Sequence, residues 1–253
     1  MPTVRELSAP YGNFMLGPRP GPGVCEVCFD LTAGPPRCHH CARPAPQIAA
    51  VTPISYSVAH EQLHHALAAY KRAPGRTARA FARELAAVLW RHLDQHEGCL
   101  ARAAGVGAFT LVTTVPSGAR ERDAEHPLRR IVGELVAPTR DRYAPALERS
   151  DVPVAPRMTA ADKYRARQRL DGQTILLIDD TWTTGASARS AAIALDRAGA
   201  ARVAVLVLGR YLHRDYRDNA ARLATLPDPF DWDHCAHHAH ACCDVSQAHP
   251  STV

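Results

Sequence analysis

The sequence predicts an α/β fold, a mainly parallel sheet flanked by helices, preceded by a small N-terminal zinc-binding module. Three observations predict it. The runs "ILLI" (Ile175 to Ile178) and "RVAVLVLGR" (Arg202 to Arg210) do not alternate apolar with polar, the pattern of strands covered on both faces of a parallel sheet. Segments with apolar residues at helical spacing lie between such runs, so strands and helices alternate along the chain. The first 47 residues are instead rich in Pro and Gly, almost without periodicity, and hold two CxxC pairs.

Taken in order, residues 1–47 cannot build a core of their own. Within "CEVCFDLTAGPPRCHHC", Cys25, Cys28, Cys38 and Cys41 form two knuckles, each a tight turn that points two thiolates at one tetrahedral ion. Zinc contributes about 10–16 kcal/mol in comparable small modules, enough to fold a segment this short. The competing reading is a reduced tail without metal. His39 and His40 lie between two ligands and are read as solvent-facing.

Residues 48–222 form the globular part. "SVAHEQLHHALAAYKR" reads as a helix with Leu63, Ala66, Leu67 and Tyr70 on one face, stopped by Pro74 and Gly75. A longer helix from Thr77 to about His96 carries Phe81, Leu85, Val88, Leu89, His92 and Leu93 as its core stripe. "AFTLVTTV" is a strand ending at Pro116, and "EHPLRRIVGELV" a helix with Pro127 near its first turn. A short strand is expected over Val152 to Ala155, before the charge-dense "RMTAADKYRARQRLDG". Residues 223–253 form a His- and Cys-rich tail with His234, Cys235, His237, His238, His240, Cys242 and Cys243. Their spacing is irregular, so they read as a loose His-rich terminus rather than a built metal site.

"ILLIDDTWTTGAS" carries the chemistry. A buried strand ends in two carboxylates, Asp179 and Asp180, at the strand end where open α/β folds place ligands. Thr183, Thr184, Gly185, Ala186 and Ser187 then lead into "ARSAAIALDRAGA", a helix with Gly199 as its stop. A tight hydroxyl-bearing turn opening a helix offers unpaired N–H groups and the positive end of the macrodipole to an anion. A Walker B strand would need a Gly-Lys loop, and no Gly-Lys pair occurs. A receiver domain would need a downstream lysine, and none follows Lys163.

This segment resembles the phosphoribosyl pyrophosphate (PRPP) signature of type I phosphoribosyltransferases, and the expected fold is accordingly phosphoribosyltransferase-like. The resemblance implies that Asp179 and Asp180 hold the ribose hydroxyls and that the loop Thr181 to Ser187, with Thr183, Thr184, Gly185 and Ala186, binds the 5-phosphate. Charge-assisted bonds of that kind contribute about 1.5–3 kcal/mol each. Together, the four-cysteine module, the "YKRAPG" turn and the core are similar to the ComF-like family, which is linked to competence for DNA uptake. That family places a pyrophosphate loop where this chain has "VPSGAR", giving Ser117, Gly118 and Arg120 as candidates; a plain turn has the same composition. The sequence departs from the family in reading "AEHPLRRIV" where an Arg-Gly-aromatic-Asn-Gln run is usual.

The resemblance implies displacement of pyrophosphate from C1 of PRPP by an amine or base, with Mg²⁺ neutralising the leaving group. Lys163, Arg165 and Arg167 are candidate cations for the pyrophosphate, with Lys163 grouped with Asp179 and Asp180 as catalytic; a solvated charge run has the same composition. A second reading is a PRPP- or nucleotide-responsive binding protein without catalysis, whose zinc module contacts DNA or a DNA-handling partner. At 253 residues with a formal charge of +5, the chain fits a phosphorylated ligand without demanding nucleic acid. It has no export-signal pattern and no apolar run long enough for a membrane span, so a cytoplasmic location is expected, with metal favoured over cystine for its 8 cysteines. Only two lysines occur, Lys71 and Lys163, a scarcity read as compositional.

Overall fold

The computed structural model describes residues 2–117 and 126–237. Its centre is a four-stranded, wholly parallel sheet in the order β1 (Ala50–Val58), β6 (Arg202–Leu212), β5 (Thr174–Trp182), β2 (Leu111–Thr114). The inner strands β5 and β6 are buried on both faces, which is why their sequences do not alternate. Leu176, Ile178, Ala204 and Leu206 face one core, whereas Ile175, Leu177, Val203, Val205 and Val207 face the other.

The first core is covered by α2 (Gln62–Arg72) and α3 (Gly75–Ala103), with α1 (Val4–Ser8) packed outside α3. A short helix α4 (Pro127–Arg130) runs through a π turn, Ile131–Leu135, towards α5 (Ala137–Arg140), and Leu128, Ile131 and Val132 complete this side. The second core is closed by α6 (Ala186–Arg197), by the antiparallel pair β3 (Leu147–Arg149) and β4 (Tyr164–Ala166), and by the four cysteines of the N-terminal segment. A last short helix, α7 (Asn219–Leu223), precedes the tail. No helix among the described residues is long and apolar enough to cross a membrane.

Several boundaries differ from the sequence expectations. Ser57 and Val58 end β1 instead of opening a helix, and α2 begins at Gln62. It ends at Arg72, ahead of Pro74 and Gly75, and Gly75 is already the first residue of α3. That second helix continues past His96 to Ala103, because Cys99, Leu100 and Ala101 remain on its buried stripe. Val152 to Ala155 is not a strand: Pro153 has no N–H to give a ladder, and Val152 is 47% exposed. Pairing falls instead on β3 and β4, to either side of that stretch.

The N-terminal segment lies against the sheet. Tyr56 on β1 donates its hydroxyl to the Phe29 carbonyl at 2.9 Å, and its N–H to the Leu16 carbonyl at 2.8 Å. Residues of the tail pack back as well: the Phe230 N–H donates to the Gly12 carbonyl at 2.8 Å, and Arg91 of α3 stacks on Trp232 at 4.1 Å.

One glycine sets how closely α2 approaches the sheet. Gly209 of β6 pairs with Ser55 on β1 and Thr181 on β5. A Cβ there would come within 2.7 Å of the Ser57 Cβ and 2.9 Å of Leu67 of α2. Leu67 stands one helical turn before Lys71, so this contact fixes where the end of α2 lies over the sheet. Gly209→Ala is expected to destabilise the protein by about 1–3 kcal/mol in urea unfolding, the usual cost of overpacking. A wild-type unfolding midpoint in that variant would show that α2 has slack over the sheet.

Candidate functional site

All four sheet strands deliver their C-terminal ends to one edge. There β5 carries Asp179 and Asp180 near its end, and Ser117 follows β2; the Val115 N–H, just past β2, donates to the Ile178 carbonyl at 3.0 Å. Gly118 and Arg120 lie outside the described residues.

The two carboxylates have different surroundings. Asp180 is 5% exposed, and its Oδ2 receives both the Tyr70 hydroxyl and the Lys71 ammonium. Burial works against its charge, but Lys71 and Tyr70 hold its carboxyl below the usual range. Asp179 is partly exposed, and its Oδ1 accepts the Asp180 N–H at 2.9 Å. Burial and then the Asp180 charge push its carboxyl up to about 7, against the opposing pull of Lys71 and Lys163. One acid is therefore firmly ionised, and the other is poised near neutrality. Burial, reinforced by Asp180, raises the Tyr70 phenol well above its ordinary value, which keeps it a donor.

The loop after the acids forms an open anion cradle. Gly185 has φ +76° and caps α6, and a Cβ there would meet the Trp182 ring at 2.2 Å, so only glycine fits. Thr184 accepts the Ala186 N–H on its hydroxyl at 3.3 Å. The N–H groups of Thr183, Thr184 and Gly185 have no acceptor among the described residues, and the first turn of α6 adds its own unpaired donors. Lys163, 9% exposed, donates to the Ser187 hydroxyl at 2.9 Å, placing a cation at this cradle. Burial and then Arg149 lower its pKa, and Asp179 counteracts them.

The other two cations expected here are engaged elsewhere. Arg165 pairs with Glu148 across the β3–β4 ladder, and Arg167 approaches the same carboxylate at 3.8 Å. Lys71 takes a place the sequence reading did not give it. The signal was the rarity of lysine: the two lysines of the chain both stand at the acid pair and its loop.

The four cysteines are buried, with all their sulfurs within 4.8 Å of one another. A tetrahedral zinc with Zn–S bonds of about 2.3 Å requires sulfurs about 3.8 Å apart, and Cys28 and Cys38 are at 3.7 Å. The residues thus fit a structural zinc, whose four thiolates leave surplus negative charge. Two buried arginines answer it. Arg189 of α6 reaches the Cys41 sulfur at 3.3 Å and the Arg43 carbonyl at 3.0 Å. Arg210 of β6 lies by Cys28, pairs with Asp30 at 2.9 Å, and donates to the Trp182 carbonyl at 3.1 Å. The cluster is thereby joined to both ends of the anion loop. Beside it, a recess of about 700 Å³ is lined by Arg37, Arg43, Arg102, Arg189 and Trp182, and contains neither acid of the pair.

Compared with known proteins, the sequence matches no family model and no curated protein.

The raised Asp179 carboxyl has a testable consequence for stability. A group whose folded pKa lies above its unfolded value contributes stability that is complete below the unfolded pKa and is lost as pH rises through the folded one. Here that window runs from the ordinary carboxylate range up to about 7. Asp179→Asn keeps an oxygen for the Asp180 N–H but cannot ionise. Urea unfolding is expected to find it more stable than wild type at about pH 8, by on the order of 1–2 kcal/mol after discounting for partial exposure, and near wild type only at about pH 4. Equal effects at both pH values would contradict the assignment.

Proposed function

We propose that the chain is a PRPP-binding protein of the phosphoribosyltransferase type, transferring phosphoribosyl to an amine or base with loss of pyrophosphate. The convergence of the two lysines of the chain on an acid pair and an anion loop, at the C-terminal edge of a parallel sheet, carries this reading. The chain resembles the ComF-like family in the order of its four-cysteine module and this loop, which supports the same assignment.

In this reading, the cradle of Thr183 to Ser187 takes the 5-phosphate on backbone N–H groups, with Lys163 supplying positive charge. Asp179 and Asp180 accept the ribose 2- and 3-hydroxyls. Lys71 neutralises Asp180 until ligand arrives, and its ammonium is then free to turn towards the pyrophosphate. The bond from C1 to the pyrophosphate oxygen breaks and its electron pair leaves with pyrophosphate. The acceptor nitrogen bonds to C1 and loses a proton. Positive charge develops on the ribose, and the ionised carboxylates stabilise it without covalent participation. Magnesium bound with the substrate supplies charge neutralisation on the leaving group. The remaining oxygens of Asp179 and Asp180 are the donors available to it.

Calorimetric titration of PRPP with Mg²⁺ into zinc-loaded protein tests the reading. Micromolar affinity is expected, falling at least about tenfold in Asp179→Asn/Asp180→Asn, which corresponds to about 1.4 kcal/mol, and also in Lys163→Ala. Wild-type affinity is expected to rise between about pH 6 and about pH 8 as Asp179 ionises, and to lose that rise in Asp179→Asn. Phosphorus NMR across a panel of amines and bases then reports pyrophosphate release. Absence of PRPP binding by the wild type would overturn the proposal. Binding without release for any acceptor would leave a PRPP-responsive binding protein and remove the transferase.

A further inference from the structure

The C-terminal part of α3 and the segment that follows α7 share no chemistry with the acid pair, yet they bring together three side chains that suit a metal. His96 and Cys99 stand three residues apart on α3 and so lie on one face of the helix. Cys235 arrives from the other direction, 136 positions further on, because the chain from Phe230 to Asp233 is fastened to the turn after α1 and to α3. The fastenings are the Phe230 N–H on the Gly12 carbonyl, Arg91 on the Trp232 ring, and the Gln95 amide on Asp233 at 3.2 Å. The three residues are 3%, 2% and 7% exposed, and their ligand atoms all lie within 4.8 Å of one another.

The orientation of the histidine is the second, independent observation. Its Nε2 lies 2.8 Å from the Trp232 carbonyl, which can only accept, so Nε2 carries the proton. In the neutral tautomer Nδ1 then bears the lone pair, and it lies 3.9 Å from the Cys99 sulfur. A backbone carbonyl that holds one ring nitrogen while the other faces the donor set is how proteins orient a metal-ligating histidine. Around tetrahedral zinc, nitrogen and sulfur ligands stand about 3.6 Å apart and two sulfurs about 3.8 Å, so the His96–Cys99 pair needs a few tenths of an ångström of contraction and Cys235, within 4.8 Å of both, at most about 1.2 Å. Arg102 donates to the Cys99 sulfur at 3.7 Å, which places a positive charge beside the donor set.

We propose that His96, Cys99 and Cys235 form a second zinc site, separate from the four-cysteine cluster and independent of the PRPP reading. The donor set, one imidazole and two thiolates, selects a borderline ion such as Zn²⁺ over Mg²⁺ or Ca²⁺. These three ligands, the set found among the described residues, fill three tetrahedral positions and leave the fourth to water or a further donor. The site would staple the segment after α7 to the long helix that covers the sheet, linking residues 136 positions apart through one ion.

Zinc content of the purified full-length chain, measured by elemental analysis after gel filtration, tests this directly. About two equivalents are expected for the wild type, one in Cys99→Ser and one in Cys235→Ser. His96→Cys is expected to retain the second metal. Its cobalt-substituted form should gain sulfur-to-cobalt charge-transfer intensity over the wild type, a change no packing role would produce. A full-length variant with alanine at His238, His240, Cys242 and Cys243 identifies metal held by those residues alone. One equivalent in the wild type, or a second equivalent that survives Cys99→Ser and Cys235→Ser but not the four-alanine variant, would overturn the proposal. Alkylation of the unreduced, denatured protein after chelation is expected to modify all 8 cysteines. Protection of Cys99 and Cys235 together would assign a disulfide instead and overturn it equally, whether or not either serine variant folds.

Discussion

A carboxylate buried at the end of a parallel strand stays ionised only if a cation and a hydrogen bond reach it, and much of this structure meets that requirement for Asp180. The chain supplies both from the same place, Tyr70 and Lys71 at the end of α2. For them to arrive, α2 must lie close over β1 and β6, which Gly209 permits. The arrangement charges one acid fully and leaves its neighbour near neutrality, so the two adjacent aspartates are chemically unlike. The C-terminal edge of the sheet thus presents one carboxylate held ionised, one whose pKa is raised, and two ammonium groups.

The four-cysteine cluster imposes a similar demand with the opposite sign. Thiolates around a divalent ion would carry excess negative charge into a buried place, and the core sets Arg189 and Arg210 beside the four cysteines. Buried guanidiniums are costly unless paired, so each side justifies the other. Because Arg189 lies on α6 just after the anion loop and Arg210 holds the Trp182 carbonyl just before it, the cluster braces the loop as well as folding its own segment. Trp182 in turn fills the space that Gly185 leaves open.

How much of this could be read in the sequence follows from the range of each interaction. The inner strands were legible because burial on both faces removes alternation, and the knuckles and loop because their residues are close in sequence. The α3 stripe was legible over its middle turns only, since Gly98 and the charges around it mask the last ones. The strand expected at Val152 to Ala155 was drawn from small apolar residues, but Pro153 inside it and Pro156 after it deny a ladder, while β3 and β4 sit among charges that argue for a loop. Lys71 could not be assigned because its partner lies 109 positions away, and Arg189 and Arg210 sit inside helix and strand patterns where an arginine looks incidental. Cys99 gave no signal as a single cysteine in a helix. Only the folded chain sets it beside Cys235.

The near absence of lysine elsewhere has a consequence for the chemistry of the cell. Spontaneous acylation by thioesters and mixed anhydrides falls on side-chain amines, and in most proteins it is spread over a surface where it changes little. Here Lys71, about one third exposed, and Lys163, nearly enclosed, are the two ε-amines of the chain. A single acyl group on Lys71 would abolish the cation that Asp180 relies on, so covalent wear that other proteins absorb on their exterior is concentrated here on the acid pair.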